Sequence, residues 1–377
     1  MTARPPSAAD ASSVSPVRVV PGLPPARSGV GVPLAEITTL RIGGPAARTT
    51  VVRDDRELVA AIAAADAGPR EALVVGGGSN LVVDDAAQDV DVVVVRTTGT
   101  RDVEEDGVVL RTVAAGEPWD ATVAAAVADG LAGVECLSGI PGAVGATPIQ
   151  NVGAYGQDVS QTIRAVRVLD RRTGEARELA AEACGFAYRD SRLKGDDRYV
   201  VLDVTFALEV RRDSAPVRYA ELARALGVAV GDRVPAGDAR DAVLALRAGK
   251  GMVLDPDDPD TVSAGSFFTN PILDPDAFAA LGRRVADRLG PDVVPPGHEE
   301  PDGRVKTSAA WLIERAGYAR GYARGGAALS SKHALALTNR GGGSADLVAL
   351  ARDVAAGVEA AFGVSLRPEP VLVGVTW

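Results

Sequence analysis

The spacing of apolar positions changes several times along the chain, and each change marks an element. From residue 38, TTLRIGGPAARTTVV reads as a turn and then a strand, and RELVAAIAAADAG repeats its apolar residues at helical spacing. EALVVGGGSNLVV gives strand, glycine turn and strand, and DVVVVRT is a short unbroken apolar run of the kind a fully buried strand shows. Together these form a βαββ unit. GVVLRTVAAG and PWDATVAAAVADG then predict strand leading into helix, and IRAVRVLDRRTGEARELA predicts a hairpin turning at Arg-Thr-Gly. FAYRDSRLKG and the strand pattern YVVLDVTFALEVRR follow. After VRYAELARALGV the period becomes helical in DARDAVLALRAGKG, DPDAFAALGRRVADRLG, KTSAAWLIERAG and GSADLVALARDVAAGVEAAFG, and SLRPEPVLVGVTW reads as a closing strand.

Two segments fit neither period. Residues 1–33 are rich in Pro, Ser, Ala and Arg, cannot bury enough to offset the entropy of ordering, and are expected to be a disordered tail. CLSGIPGAVGATPIQNVGAYGQDV has too many glycines for regular structure and too few charges for a solvated linker.

At 377 residues, two or three domains are expected. A net charge of -10 without a basic stripe argues against nucleic-acid binding. Two cysteines without a CxxC pair, and two isolated histidines, support neither a metal site nor a disulfide framework. No apolar run reaches the roughly 20 residues that span a bilayer, and no secretion signal is visible. A cytoplasmic location, with no membrane or nucleic-acid partner, is expected.

Candidate chemistry is concentrated in a few loops. In GGGSN, Gly76, Gly77 and Gly78 let backbone N–H groups approach a phosphate, and Ser79 and Asn80 add side-chain donors; a plain turn between strands is the alternative. Gly139, Gly142 and Gly145 have a suggestive spacing, but without a strand before and a helix after them they are no dinucleotide fingerprint. The uncharged loop around Gln150, Asn151, Ala154 and Tyr155 suits a flat heteroaromatic ligand, or is simply a buried irregular loop. Ser266, in SAGSFFTNP, has neither GxSxG nor Ser-x-x-Lys context; it can be a weak acid for a strongly basic carbon, or a turn serine. Arg189 and Glu369 are further candidates, which singly read as a strand-end ion pair and a surface residue, and Lys250 reads as a charge ending a helix.

In their order, LRIGGPA, GGGSN, SGIPGAVGATPIQNVGAYG, YRDS, SAGSFFTNP and LRPEP resemble the UDP-N-acetylenolpyruvoylglucosamine reductase family of flavin enzymes from peptidoglycan precursor synthesis. The resemblance runs from about residue 34 to 374. It implies an α+β protein: an FAD-binding, PCMH/vanillyl-alcohol-oxidase-type unit of two subdomains over 34–212, rejoined by the closing strand 366–377, and a smaller α+β substrate-binding domain over 213–365. It implies FAD held along Arg41, Ile42, Gly43 and Gly44, along Gly76, Gly77, Gly78, Ser79, Asn80 and Leu81, and by Ser138, Gly139, Pro141, Gly142, Gly145, Ala146, Gln150, Asn151, Gly153, Ala154 and Tyr155. NADPH is the implied hydride donor, and the implied substrate is UDP-N-acetylenolpyruvoylglucosamine, bound through Tyr219, Lys250, Asn270 and His333 by a protein expected to act as a monomer.

The implied chemistry sends hydride from flavin N5 to the terminal enolpyruvyl carbon. Arg189 and Glu369 then stabilise the developing charge, and Ser266 supplies the proton. Pro370 departs from the ordinary strand residue expected after Glu369, and DPDDPDT before SAGSFF reads as a solvated acidic loop. Two rival readings share part of the pattern. An FAD-linked oxidase of the same cofactor fold has no need of SAGSFFTNP and LRPEP, and a nucleotide-sugar sensor without turnover has no need of Ser266, Arg189 and Glu369 together.

Overall fold

The computed structural model describes residues 24–377. Most of the expected tail lies outside the described residues. Its last part, 24–33, is not loose: Gly29 pairs with Thr49, the Ser28 hydroxyl accepts the Val51 N–H at 2.9 Å, and Val32 is buried. The apolar anchors Val32 and Leu34, overlooked among prolines, correct that expectation.

A parallel three-stranded sheet follows, with Gln88–Val95 between Ala46–Val52 and Glu71–Val75. Its helix, Asp55–Asp66, starts where the Asp54 carboxylate accepts the Glu57 N–H and the Glu57 carboxylate accepts the Arg53 N–H. These bonds satisfy donors that a helix start leaves unpaired. Along Gln88–Val95, Val93 and Val95 pack with Leu58 and Ile62 of that helix, while Val92 and Val94 pack with Leu34, Ile37 and Val83 on the opposite face. Both faces are covered, and this is why the sequence shows an unbroken valine run and no alternation.

The second subdomain is an antiparallel sheet in the order Glu175–Ala180, Ile163–Asp170, Tyr199–Val210, Val108–Ala114, Thr100–Glu105, with Leu131–Ala132 paired to the end of Tyr199–Val210. Trp119 opens the helix Trp119–Ala128 and is buried against Phe206, with its indole N–H on the Leu137 carbonyl at 3.1 Å. Leu137, Val144 and Val159 of the glycine-rich loop enter the same core. That loop is a fixed layer over the sheet.

Residues 213–251 form two helices, Ala220–Leu226 and Ala236–Gly249, which pack on the loop at Cys136; the second is tied to helix Trp119–Ala128 by Arg240 on both Asp120 oxygens at 2.7 and 2.9 Å. A four-stranded antiparallel sheet then runs in the order Ser263–Ser266, Ala336–Asn339, Ala327–Leu329, Ala323–Arg324, and shares a core with helices Pro275–Leu289, Ala309–Ala316 and Ser344–Phe362. Finally Val371–Val373 pairs parallel to Leu81–Val83. The chain just before it, at residues 367–371, bonds to both units: the Thr269 N–H reaches Arg367 O, the Glu369 N–H reaches Phe267 O, and the Val371 N–H reaches Asn80 O. Among the described residues no helix is long and apolar enough to cross a membrane.

Candidate active site

Ser266 owes its position to a bulge. Ser263 faces Thr338 and Ser266 faces Ala336, so one strand carries an extra residue, with Gly265 beside it at φ 74°. A Cβ on Gly265 would meet nothing within 4 Å, so glycine is required there for its dihedral and not for space. Such a bulge bends the strand and re-aims the next side chain. Phe267 and Phe268 are buried directly behind it, edge to face at 5.1 Å. The Ser266 hydroxyl has no protein hydrogen-bond partner among the described residues.

Glu369 reaches the same place along residues 367–371. Its N–H is fixed on Phe267 O at 2.8 Å, and Phe268 bridges Pro368. Pro370 does no harm here, because the N–H it lacks falls between the Glu369 and Val371 bonds. The Glu369 side chain is only 12% exposed, and its Oε1 lies 3.4 Å from Arg189 Nε. Burial raises its pKa, against the opposing charges of Arg189 and Lys194.

Arg189 sits in a turn closed by Ala187 and Asp190, at φ 54°, with Lys194 Nζ donating to its carbonyl at 2.8 Å. Its Nη2 donates to Gly153 O at 2.6 Å, so one guanidinium joins the glycine-rich loop to Glu369. Five described non-glycine residues have positive φ, and Arg41, Asn151, Tyr155 and Arg189 are four of them. Backbone strain of this kind concentrates at functional sites. The structure therefore brings Arg189, Glu369 and the Ser266 segment together from three distant parts of the chain.

The glycine turn after Glu71–Val75 lies beside this group. The N–H groups of Gly77, Gly78, Ser79 and Asn80 donate to no protein acceptor among the described residues, although Gly77 and Gly78 are buried. Consecutive unpaired amides form a concavity suited to an anion. A Cβ on Gly77 would lie 2.5 Å from Gly142 Cα, and one on Gly78 1.7 Å from Ile37 O, so three segments meet here at backbone contact. Gly77→Ala is expected to force them apart, costing about 1–3 kcal/mol as overpacking does. The check is flavin content together with the melting temperature of the flavin-free protein, both of which should fall.

Several residues expected to face a cofactor also have internal partners. Ser79 Oγ donates to Pro141 O at 2.9 Å and Asn80 Nδ2 to Gln150 Oε1 at 2.6 Å, so these side chains lock the turn to the loop. Ser138 Oγ donates to Glu135 O, the Gly139 N–H reaches Asp120, the Gly145 N–H reaches Ala115 O and the Ala146 N–H reaches Ala143 O. The Asn151 amide spans Ala187 O and the Ser160 N–H. Ile42 is buried in the C-terminal core, the Gly43 N–H is directed at Asp85, and a Cβ on Gly44 would lie 2.0 Å from Ala86 O. Leu81 begins the strand that receives the closing strand, and Gly153 with Ala154 pairs against Gln157–Asp158.

The Tyr155 ring stands edge-on to Tyr219 at 5.5 Å, with Lys250 Nζ 5.5 Å from its centroid. Lys250 also pairs with Glu221 at 2.6 Å. Arg247, which the sequence reading passed over as one more residue of a helix, lies under Gly139; it donates to Met252 O, its Nε is buried without a partner, and burial lowers its pKa to about 10. Asn270 is partly committed elsewhere, its Oδ1 accepting the Ala309 N–H at the start of a helix. The acidic segment is solvated only in part: Asp255, Pro256, Asp257 and Pro259 are exposed, but Asp260 is buried, accepts from Ser331 and pairs with Arg340, while Asp258 holds Lys332. It pins the segment leading to Ser266 onto the loop that carries His333.

Burial, then the charges of Lys250, Arg320 and Arg247, push His333 down to about 4. Its folded value is below the unfolded value of about 6.5. The associated stability is therefore present above the unfolded value and is lost as pH falls through the folded one. Melting of the ligand-free protein should drop over that interval, and His333→Gln should flatten the drop.

Comparison with known proteins places this geometry. A family model described as "UDP-N-acetylenolpyruvoylglucosamine reductase, C-terminal domain" matches residues 257–373, and one described as "FAD binding domain" matches residues 46–180. Proteins named UDP-N-acetylenolpyruvoylglucosamine reductase from Thermobifida fusca (strain YX) and Streptomyces coelicolor are 59% and 58% identical, over 92% and 91% of this chain and 98% and 89% of theirs. The crystal structure of UDP-N-acetylenolpyruvylglucosamine reductase from Thermus caldophilus is similar with a TM-score of 0.62 at 25% identity, covering 92% of this chain and 99% of that one. The expected α+β class, an FAD-binding unit followed by a C-terminal domain, is the one found. The chain belongs to the UDP-N-acetylenolpyruvoylglucosamine reductase family and is an FAD-dependent oxidoreductase of that type.

Proposed function

We propose that this protein reduces the enolpyruvyl group of UDP-N-acetylenolpyruvoylglucosamine to give UDP-N-acetylmuramate, with NADPH as the source of hydride. The observation that carries the reading is the Arg189–Glu369 pair at 3.4 Å, held by backbone bonds next to the Ser266 segment. FAD, when bound, would supply the hydride-transfer chemistry between NADPH and the enolpyruvyl double bond. The unpaired amides of residues 77–80 suit its diphosphate.

As the terminal carbon gains hydride, negative charge collects on the neighbouring carbon and its carboxylate. Arg189 is a fixed cation for that charge, preorganised by Gly153 O and Lys194. Burial favours the protonated form of Glu369, which can then donate a hydrogen bond where an ordinary carboxylate only accepts. Ser266 transfers its hydroxyl proton to the carbon, which completes the lactyl ether, and is reprotonated from solvent. Tyr219, Lys250 and His333, with Tyr155 and Arg247 added from the geometry, form the polar wall for the nucleotide diphosphate.

Anaerobic reduction with NADPH should bleach the flavin, and addition of the enolpyruvyl nucleotide should restore its colour. Bleaching without recovery would leave a flavin reductase of another substrate.

A further inference from the structure

Arg96 follows the central parallel strand Gln88–Val95 and continues its ladder, its N–H donating to Val52 O at 2.8 Å. The side chain turns toward the glycine turn. Nη1 donates to Gly76 O at 2.8 Å and to Val95 O at 2.7 Å. No carboxylate pairs with it among the described residues, and burial lowers its pKa with no opposing contribution from an acid. Of the other guanidiniums withdrawn from water, that of Arg111 sits between Asp102 and Asp129, while that of Arg247 also has no carboxylate ion pair among the described residues. An arginine withdrawn from water without an anion is costly unless something else supplies the charge.

Its place indicates what that charge is. Gly76 and Arg96 both lie just past the carboxyl ends of neighbouring parallel strands, where open sheets of this kind bind ligands. Gly76 also begins the run whose next four N–H groups have no protein acceptor. Amides alone offer only partial charges, whereas a diphosphate carries full ones.

We infer that Arg96 is a cofactor-binding residue: its guanidinium braces the glycine turn through Gly76 O and neutralises the FAD diphosphate seated on the amides of residues 77–80. The inference rests on FAD being the cofactor, and the test separates the two. FAD affinity is measured by flavin fluorescence for the wild-type protein, Arg96→Lys and Arg96→Met, alongside riboflavin, which lacks phosphate, and the melting temperature of each flavin-free protein.

Arg96→Met should bind FAD about 10- to 100-fold more weakly, as expected for lost hydrogen bonds to a charged group. It should bind riboflavin nearly as the wild type does and, with the bonds to Gly76 O and Val95 O lost, melt only slightly lower when flavin-free, while Arg96→Lys should recover part of the FAD affinity. Unchanged FAD affinity in Arg96→Met would overturn the inference. So would equal losses for FAD and riboflavin with a lowered flavin-free melting temperature, which would make Arg96 a brace for Gly76 alone. A wild-type protein that fails to bind FAD would overturn the cofactor reading itself.

Discussion

Ser266→Ala is expected to leave flavin reduction by NADPH intact and to slow reoxidation by the enolpyruvyl nucleotide by about 10²–10⁴-fold, the usual contribution of a positioned proton donor. The substitution is mild for the fold. The hydroxyl has no protein partner among the described residues, so its removal strands no buried group there, and the bulge is set by Gly265 and not by the serine. Stopped-flow measurement of the two half-reactions separates the effects: a slowed second step with an unchanged first places the hydroxyl on the proton's path. Normal turnover would remove Ser266 from the chemistry and leave it a turn residue.

Arg189→Ala should lower the same half-reaction by about 10²–10³-fold, the range seen when one preorganised donor to a developing anion is removed. It should also change how stability depends on pH. Glu369 has a raised folded pKa, so its contribution is present below the unfolded value and is lost as pH rises through the folded one. Without the guanidinium that opposes the shift, the loss should be larger on the alkaline side. Glu369→Gln, which keeps a neutral donor, should cost much less activity than Arg189→Ala. Release of flavin from Arg189→Ala would instead mark the Gly153 bond as its main role.

Much of the first unit was readable because its signals are long. The helix Asp55–Asp66 spans three turns, and the run of valines in Gln88–Val95 is what a strand covered on both faces requires. Thr100–Glu105 was missed because every residue in it is exposed: an edge strand of TRDVEE has no apolar face to betray it. Ala323–Arg324, Ala327–Leu329 and Ala336–Asn339 are two to four residues each, too short for any period, and are strands only because they pair with one another.

The candidate site divides in the same way. Taken singly, Ser266, Arg189, Glu369 and the glycine turn each admit a plain structural reading, and they stand out only through the order of motifs that resembles the family. No local rule reports that Tyr155 meets Tyr219 edge-on, or that Arg247 and Arg96 are partly withdrawn from water with no carboxylate ion pair among the described residues.

The amino-acid order by itself determined which segments could be strand, helix or glycine turn, and which side chains are polar or ionisable, since both follow from near neighbours and side-chain type. Only the tertiary structure decided which of them meet. The return of residues 367–371 between two units puts Glu369 on Phe267 and 3.4 Å from Arg189. That contact joins residues 180 positions apart (369 minus 189), and pairings at such separation come from burial and backbone hydrogen bonding across the whole fold, which no local pattern encodes.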